Sequence, residues 1–177
     1  VTRFADALQH VLGVEGGWSD VPQDRGGKTN FGVTHATYDS WRKSKGLPRR
    51  SVKLITLDEV RSIYHERYWQ AAKCDALPWP ASLCHFDAAV NHGVGNAAKL
   101  LQQAVGAQKD GVIGPQTMGA IQRTPLPRLL SRLWVDRLDY YSRIVAARPD
   151  QKIFAKGWDN RIAHLMERCL TDFGRVA

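Results

Sequence analysis

Apolar positions Phe4, Ala7, Leu8, Val11 and Leu12 follow an i, i+3, i+4, i+7, i+8 spacing, which draws one face of an amphipathic helix. Thr2 is placed to cap its start and Gly13 to end it. Glu15 then falls just past the helix or in its last turn. Residues 16–33 lose the helical period. They hold Gly16, Gly17, Gly26, Gly27 and Gly32 together with Asp20, Pro22, Asp24 and Asn30, so the chain is expected to turn repeatedly and to form a small hairpin.

The helical period returns after that segment. Thr34 can cap a helix carrying Tyr38 and Trp41, and Thr56 with Glu59 makes a capping box ahead of Val60, Ile63 and Tyr64. Leu83, Phe86 and Val90 mark a helix that stops near Gly93. Ala97, Leu100, Leu101 and Ala104 mark another, ended by Gly106. Pro115 suits the first turn of a short helix. A long helix is expected after Pro127 with Leu130, Leu133, Trp134, Leu138 and Tyr141 inward, and a last one with Ile162, Leu165, Met166 and Cys169. The pattern is mainly α with one small β-hairpin or loop lobe near residues 16–33. No repeat or low-complexity linker interrupts it.

Length and composition fit this reading. The 177 residues are 44% apolar, enough for a single domain or two small lobes sharing a core. No run of about 18 apolar residues exists, so no transmembrane helix is expected. Val1 to Leu12 shows no signal-peptide core. Three cysteines, Cys74, Cys84 and Cys169, are too few for a disulfide framework but leave room for one bridge.

The formal net charge of +8 favours polyanionic partners, either nucleic acid or an anionic cell envelope. Zinc-finger spacing, an aromatic RNP pattern and a heptad zipper are all missing, so nucleic acid is not expected. Arg42, Lys43, Lys45, Arg49 and Arg50 cluster around a Gly-Leu-Pro turn and read as a solvated basic loop.

The chemistry concentrates between Val14 and Thr34. Five glycines around two acids imply that backbone passes close to something. Glu15 sits between Val14 and Trp18, and an apolar setting of that kind raises a carboxyl pKa and retains its proton. Asp24 lies in a polar, glycine-rich turn where a carboxylate stays ionised. Two carboxyls in opposed settings match the needs of glycoside cleavage: one protonates the leaving oxygen, the other stabilises the charged ring or activates water. Thr29 offers a hydroxyl to hold that water. The alternative reading of the same stretch is a turn with an exposed Glu and a loop-capping Asp.

The string E-G-G-W-S-D…D-R-G-G-K-T-N-F-G-V-T resembles the EGGYS…DPGG-x-TN-[YF]-GIT signature of glycoside hydrolase family 108, small bacterial and phage N-acetylmuramidases. I-Y-H-E-R-Y-W at Ile63 to Trp69 and F-D-A-A-V-N-H-G at Phe86 to Gly93 are similar to two further family motifs. D-G-V-I-G-P-Q-T at Asp110 to Thr117 is similar to the turn of the family's C-terminal peptidoglycan-binding module, and F-A-K-G-W-D-N-R at Phe154 to Arg161 is the last match. Five motifs in order span almost the whole chain.

The resemblance implies a lysozyme-like α+β fold with a groove between the small lobe and the helical body. It implies one lysozyme-like domain over 1–177, with a catalytic lobe at 1–92 and a helical peptidoglycan-binding part at 93–177. Glu15 matches the family's catalytic glutamate, and Asp24 and Thr29 match the acid and threonine of its glycine-rich loop. Phage-type lysozymes show the same interval between their two acids, but their threonine count lands on Asn30 here, so Thr29 or Asn30 holds the third role. Trp18 stands where Tyr is usual and Arg25 where Pro is usual; the first suits a stacking wall and the second loosens the turn. A carboxyl separation of about 6.5–9.5 Å would favour inversion. The implied substrate is the β-1,4 bond between N-acetylmuramic acid and N-acetylglucosamine, cut without a cofactor. The implied setting is synthesis in the bacterial cytoplasm and action in the periplasm or cell wall, by a monomer whose partners are glycan strands and the anionic envelope.

Other residues admit two roles. Tyr64, Tyr68 and Trp69 share a helix and either pack the core or line the groove, with Tyr64 and Trp69 the candidates for stacking on sugars. Asn91 and His92 close a helix, where they either cap it or hydrogen-bond an N-acetyl group. Asp87 reads as a buried structural acid met by a backbone donor. Cys84, His85 and His92 lack metal-ligand spacing, so no metal is expected. No G-x-S-x-G elbow exists for a serine hydrolase. Two rivals share the motif set: a lytic transglycosylase using the same glutamate, and a non-catalytic peptidoglycan-binding or secretion-assisting module.

Overall fold

The computed structural model describes residues 2–14 and 29–176. Glu15, Trp18 and Asp24 lie outside them. Within them the chain is mainly α, with one two-stranded hairpin, and it divides into two compact units, residues 1–67 and 68–177.

The first unit begins with α1 (Arg3–Val14). The Ala5 amide is capped by the Thr2 hydroxyl at 3.3 Å. Ala7, Leu8 and Val11 bury the predicted stripe. Gly13 does not end the helix, which runs on to Val14. A helical glycine costs only about 1 kcal/mol, and Gly13 takes none of the left-handed φ that a terminating glycine uses.

Strands β1 (Thr29–Asn30) and β2 (Val33–Thr34) pair antiparallel with Asn30 opposite Val33. Phe31 and Gly32 between them both have positive φ, 51° and 72°, which is the conformation a two-residue hairpin turn needs. Phe31 is an uncommon residue there, and the Tyr64 hydroxyl holds the turn by donating to the Phe31 carbonyl at 2.9 Å.

Thr34 caps α2 (His35–Ser44), accepting from the Thr37 amide at 3.1 Å. The Thr56–Glu59 capping box opens α3 (Leu57–Tyr64) as expected, and Val60, Ile63 and Tyr64 are buried. Glu59 has a second task that corrects the reading of the basic cluster. Arg42 is buried and donates to Glu59 at 2.7 Å, Arg50 pairs with the same carboxylate, and the Tyr38 hydroxyl donates to it at 2.8 Å. Arg49 pairs with Asp39 and Lys45 with Glu66. Four of the five cations therefore have acidic partners inside the unit. Lys43, Lys45 and Arg49 stay exposed as a solvated loop would, while Arg42 and Arg50 are fixed on Glu59.

The second unit is organised around α4 (Ala81–His92). Every residue from Ala81 to Ala89 is buried, including Ser82, His85 and Asp87. Helix α4 packs against α5 (Val94–Ala104), α7 (Leu126–Ala147) and α8 (Ala155–Val176). It is therefore buried on all sides, unlike a surface helix. Gly93 ends α4 with φ 83°. Along α7, Leu130, Leu133, Trp134 and Tyr141 face inward, but Leu138 is 37% exposed and does not.

The turn from Asp110 to Thr117 folds around one buried amide. The Gln102 amide nitrogen on α5 shares its two hydrogens among Asp110 at 2.6 Å, the Val112 carbonyl at 3.0 Å and the Thr117 hydroxyl at 3.2 Å, and its oxygen accepts from the Gly111 amide at 2.9 Å. Gly111 has φ 81°. Pro115 then starts α6 (Pro115–Arg123) in its first turn, as its missing N–H allows.

Candidate active site

Of the expected catalytic residues, Glu15 and Asp24 lie outside the described residues, as does Trp18 beside them. Helix α1 reaches Val14, the last described residue before Glu15. Thr29 is the first residue of β1, paired with Thr34. Asn30 is half-buried, and its amide nitrogen lies 3.4 Å from both the Val52 and Lys53 carbonyls, at the long limit for a hydrogen bond. The hairpin carrying Thr29 and Asn30 is thus set by the Tyr64–Phe31 bond and by this contact with the Val52–Leu54 turn.

Burial corrects two expected sugar contacts. Tyr64 is 1% exposed and Trp69 0%. Trp69 meets the Phe86 ring edge-on at 5.4 Å and donates its indole N–H to Asp75 at 2.8 Å. Neither ring offers a face to a ligand, because each has its apolar body in the core and its polar tip on a protein partner.

Asn91 and His92 occupy the C-terminal end of α4, Asn91 exposed and His92 half-buried. They do not cap the helix with their side chains. The Asn91 carbonyl oxygen accepts from the Tyr141 hydroxyl at 2.7 Å. The His92 Nε2 accepts from the Arg137 Nε–H at 3.0 Å, and its ring meets Tyr140 and Tyr141 edge-on at 4.8 and 5.1 Å. Tyr141 in turn stacks on Trp158 at 4.7 Å with 10° between planes.

Beneath them lies Asp87, fully buried. Among the described residues it has no backbone donor of the expected kind; it pairs with Arg137 on α7 and with Arg161 on α8. Burial alone would push the Asp87 carboxyl up, but the two guanidiniums outweigh it and hold it at about 2. Among the described residues the cluster holds two cations and one anion. His92, already disfavoured as a cation by burial, is depressed further by Arg137 to about 3. The ring is neutral at any physiological pH.

Sequence reading singled out Asp87, Asn91 and His92 but not Arg137. Arg161 stands in the F-A-K-G-W-D-N-R motif, and Tyr141 was visible only as an inward aromatic. Among the described residues no group of three or more His, Cys, Asp or Glu is placed to hold a metal. Cys84 Sγ lies 3.2 Å from Cys169 Sγ, and His85 Nε2 lies 3.1 Å from the Ala72 carbonyl, so neither is directed to His92.

Comparison with known proteins decides the family. The Glycosyl hydrolase 108 model matches residues 8–93, which hold the glycine-rich stretch and α4 up to Gly93. The structure of Brucella abortus SagA is 35% identical, with a TM-score of 0.82 over 95% of this chain and 94% of that one. The chain belongs to glycosyl hydrolase family 108. Its fold is the mainly α, lysozyme-like one. A second model, Predicted Peptidoglycan domain, matches residues 96–163 of this family 108 protein. No curated protein matches it. It is a glycoside hydrolase acting on peptidoglycan, and its place of action is the cell wall or periplasm. Among the described residues no helix is long and apolar enough to cross a membrane.

Proposed function

We propose that this family 108 protein is an N-acetylmuramidase that hydrolyses the β-1,4 bond between N-acetylmuramic acid and N-acetylglucosamine. Glu15 is the general acid and protonates the departing sugar oxygen. Asp24 is the ionised partner that directs water to the anomeric carbon, and Thr29 or Asn30 holds that water. Trp18 provides a wall for the sugar, and Asn91 and His92 hydrogen-bond it. The observation that carries this reading is the E-G-G-W-S-D…D-R-G-G-K-T-N sequence inside the stretch matched by the glycosyl hydrolase 108 model.

Residues 1–92 form the catalytic part and residues 93–177 the part that holds peptidoglycan. The two family matches, which meet between residues 93 and 96, support that division. The enzyme works as a monomer.

A zymogram on purified sacculi tests the reading. Wild type clears the wall, and Glu15→Gln loses at least roughly a hundredfold of the activity, the lower range for removing a general acid, while its circular dichroism is unchanged. Full clearing by Glu15→Gln would overturn it. Mass spectrometry of the released muropeptides shows reducing ends for a muramidase; anhydro ends mean a lytic transglycosylase instead.

A further inference from the structure

The end of α4 carries two polar side chains whose free atoms are decided by what lies behind them. Arg137 keeps its proton under all ordinary conditions and has no acceptor atom. Its Nε–H therefore donates to His92 Nε2 across 3.0 Å, and Nε2 must be the unprotonated nitrogen. Because the ring is neutral, its one proton sits on Nδ1. The Tyr141 hydroxyl takes a bond from Arg137 at 3.3 Å and gives its own proton to the Asn91 oxygen at 2.7 Å. The amide is thereby fixed with its oxygen inward and its NH2 free.

We infer that Arg137 and Tyr141 are positioning residues that turn two donors outward at the end of α4, with the His92 Nδ1–H and the Asn91 NH2 set to bind one acceptor oxygen, the acetamido carbonyl of an N-acetylated sugar. This rests on the reading that Asn91 and His92 meet the glycan. Neither side chain would have this polarity on its own: a free asparagine amide turns over, and a free imidazole takes either tautomer. Asp87 on α4 holds Arg137 and is itself paired with Arg161 from α8, and Tyr140 and Tyr141 flank the ring from α7; these are the charged and titratable groups that face His92 among the described residues. A ligand that gives a proton instead, such as a sugar hydroxyl, finds His92 Nε2 already taken by Arg137 and only the second lone pair of the Asn91 oxygen to receive it.

His85 gives an internal contrast. Its Nε2 faces the Ala72 carbonyl at 3.1 Å, so Nε2 carries the proton there. The protein thus holds two histidines of opposite tautomer.

Nitrogen-15 NMR of the histidine rings reads this directly, with His92 assigned by the signals lost in His92→Gln. The expected result is a protonated Nδ1 and a bare Nε2 at His92 from pH 8 down to pH 5, and the reverse at His85. The second measurement adds a peptide-free tetrasaccharide of alternating N-acetylglucosamine and N-acetylmuramic acid to the Glu15→Gln protein. The His92 Nδ1–H and Asn91 NH2 resonances move, and Tyr141→Phe weakens the tetrasaccharide by roughly 3- to 10-fold, the range of one hydrogen bond, with the His92 tautomer retained. A proton on His92 Nε2 overturns the inference. So do resonances that stay still in a protein whose wild type digests sacculi. Failure of wild type to digest sacculi overturns the muramidase reading instead, and the tautomer is measured regardless.

Discussion

The Arg161 Nε–H reaches both carboxylate oxygens of Asp87 at 3.1 Å, joining residues 74 positions apart in sequence. Arg137 completes the cluster from α7, 50 positions away from Asp87. Three charges are buried together, and their burial is tolerable only because each is paired. Removing the Asp87 carboxylate takes from Arg137 and Arg161 the acid they share. Asp87→Ala is expected to cost about 3–5 kcal/mol, measured as the shift in urea midpoint at constant slope. A loss under about 1 kcal/mol would mean that water enters the cluster and that the burial is overstated.

Acid should loosen the second unit before it protonates ordinary carboxylates. Burial holds His85 neutral down to about 4, and burial with Arg137 holds His92 neutral to about 3, against 6.5 in the unfolded chain. Below pH 6.5 the unfolded state binds protons that the folded state refuses, so stability falls as pH falls. Asp87, depressed to about 2 from 3.8, adds to the loss below pH 4 with the same sign. The expected slope is about 1 kcal/mol per pH unit for each histidine, most of it between pH 6.5 and 4. A melting temperature that stays level from pH 7 to pH 5 would contradict this.

The three cysteines should be silent in the native protein. Cys74, Cys84 and Cys169 are all buried. Burial pushes the Cys74 thiol up, and the Cys84 contact followed by burial does the same for Cys169. A thiol that is neither ionised nor reachable does not attack a disulfide reagent. Ellman's reagent at pH 8 is expected to label none of them in minutes and all three after denaturation. Rapid labelling of the native chain would show that α4 and α8 separate readily.

What could be read in one dimension was what is decided locally. The Thr56–Glu59 box and the Gly93 stop involve groups a few residues apart, so spacing alone identifies them. Asp87 was legible as a buried acid because it lies in an apolar run. Its partners were not, since nothing in the composition near Arg137 or Arg161 points 50 or 74 residues back. The same limit explains the basic cluster: Arg42 and Arg50 look solvated until Glu59 and Tyr38 are placed beside them. Aromatic residues at helical spacing face either way. Burial alone separates Tyr64 and Trp69, which pack, from Asn91 and His92, which stay reachable.

That separation predicts how mutants will fail. Tyr64→Phe removes the bond to the Phe31 carbonyl and should cost about 1 kcal/mol. Trp69→Ala empties a fully buried site and should cost about 3–5 kcal/mol. Both act on the fold, so at a temperature well below unfolding the KM for soluble glycan should stay within about twofold of wild type, a difference under 0.5 kcal/mol. Asn91→Ala should differ in KM: its loss should raise KM, besides removing the bond it accepts from the Tyr141 hydroxyl, which carries about 1 kcal/mol of stability. The pairing of the two readouts is what decides. If Tyr64→Phe raised KM while leaving stability intact, its hydroxyl would be meeting the sugar rather than the hairpin, and the core assignment made from burial would be wrong.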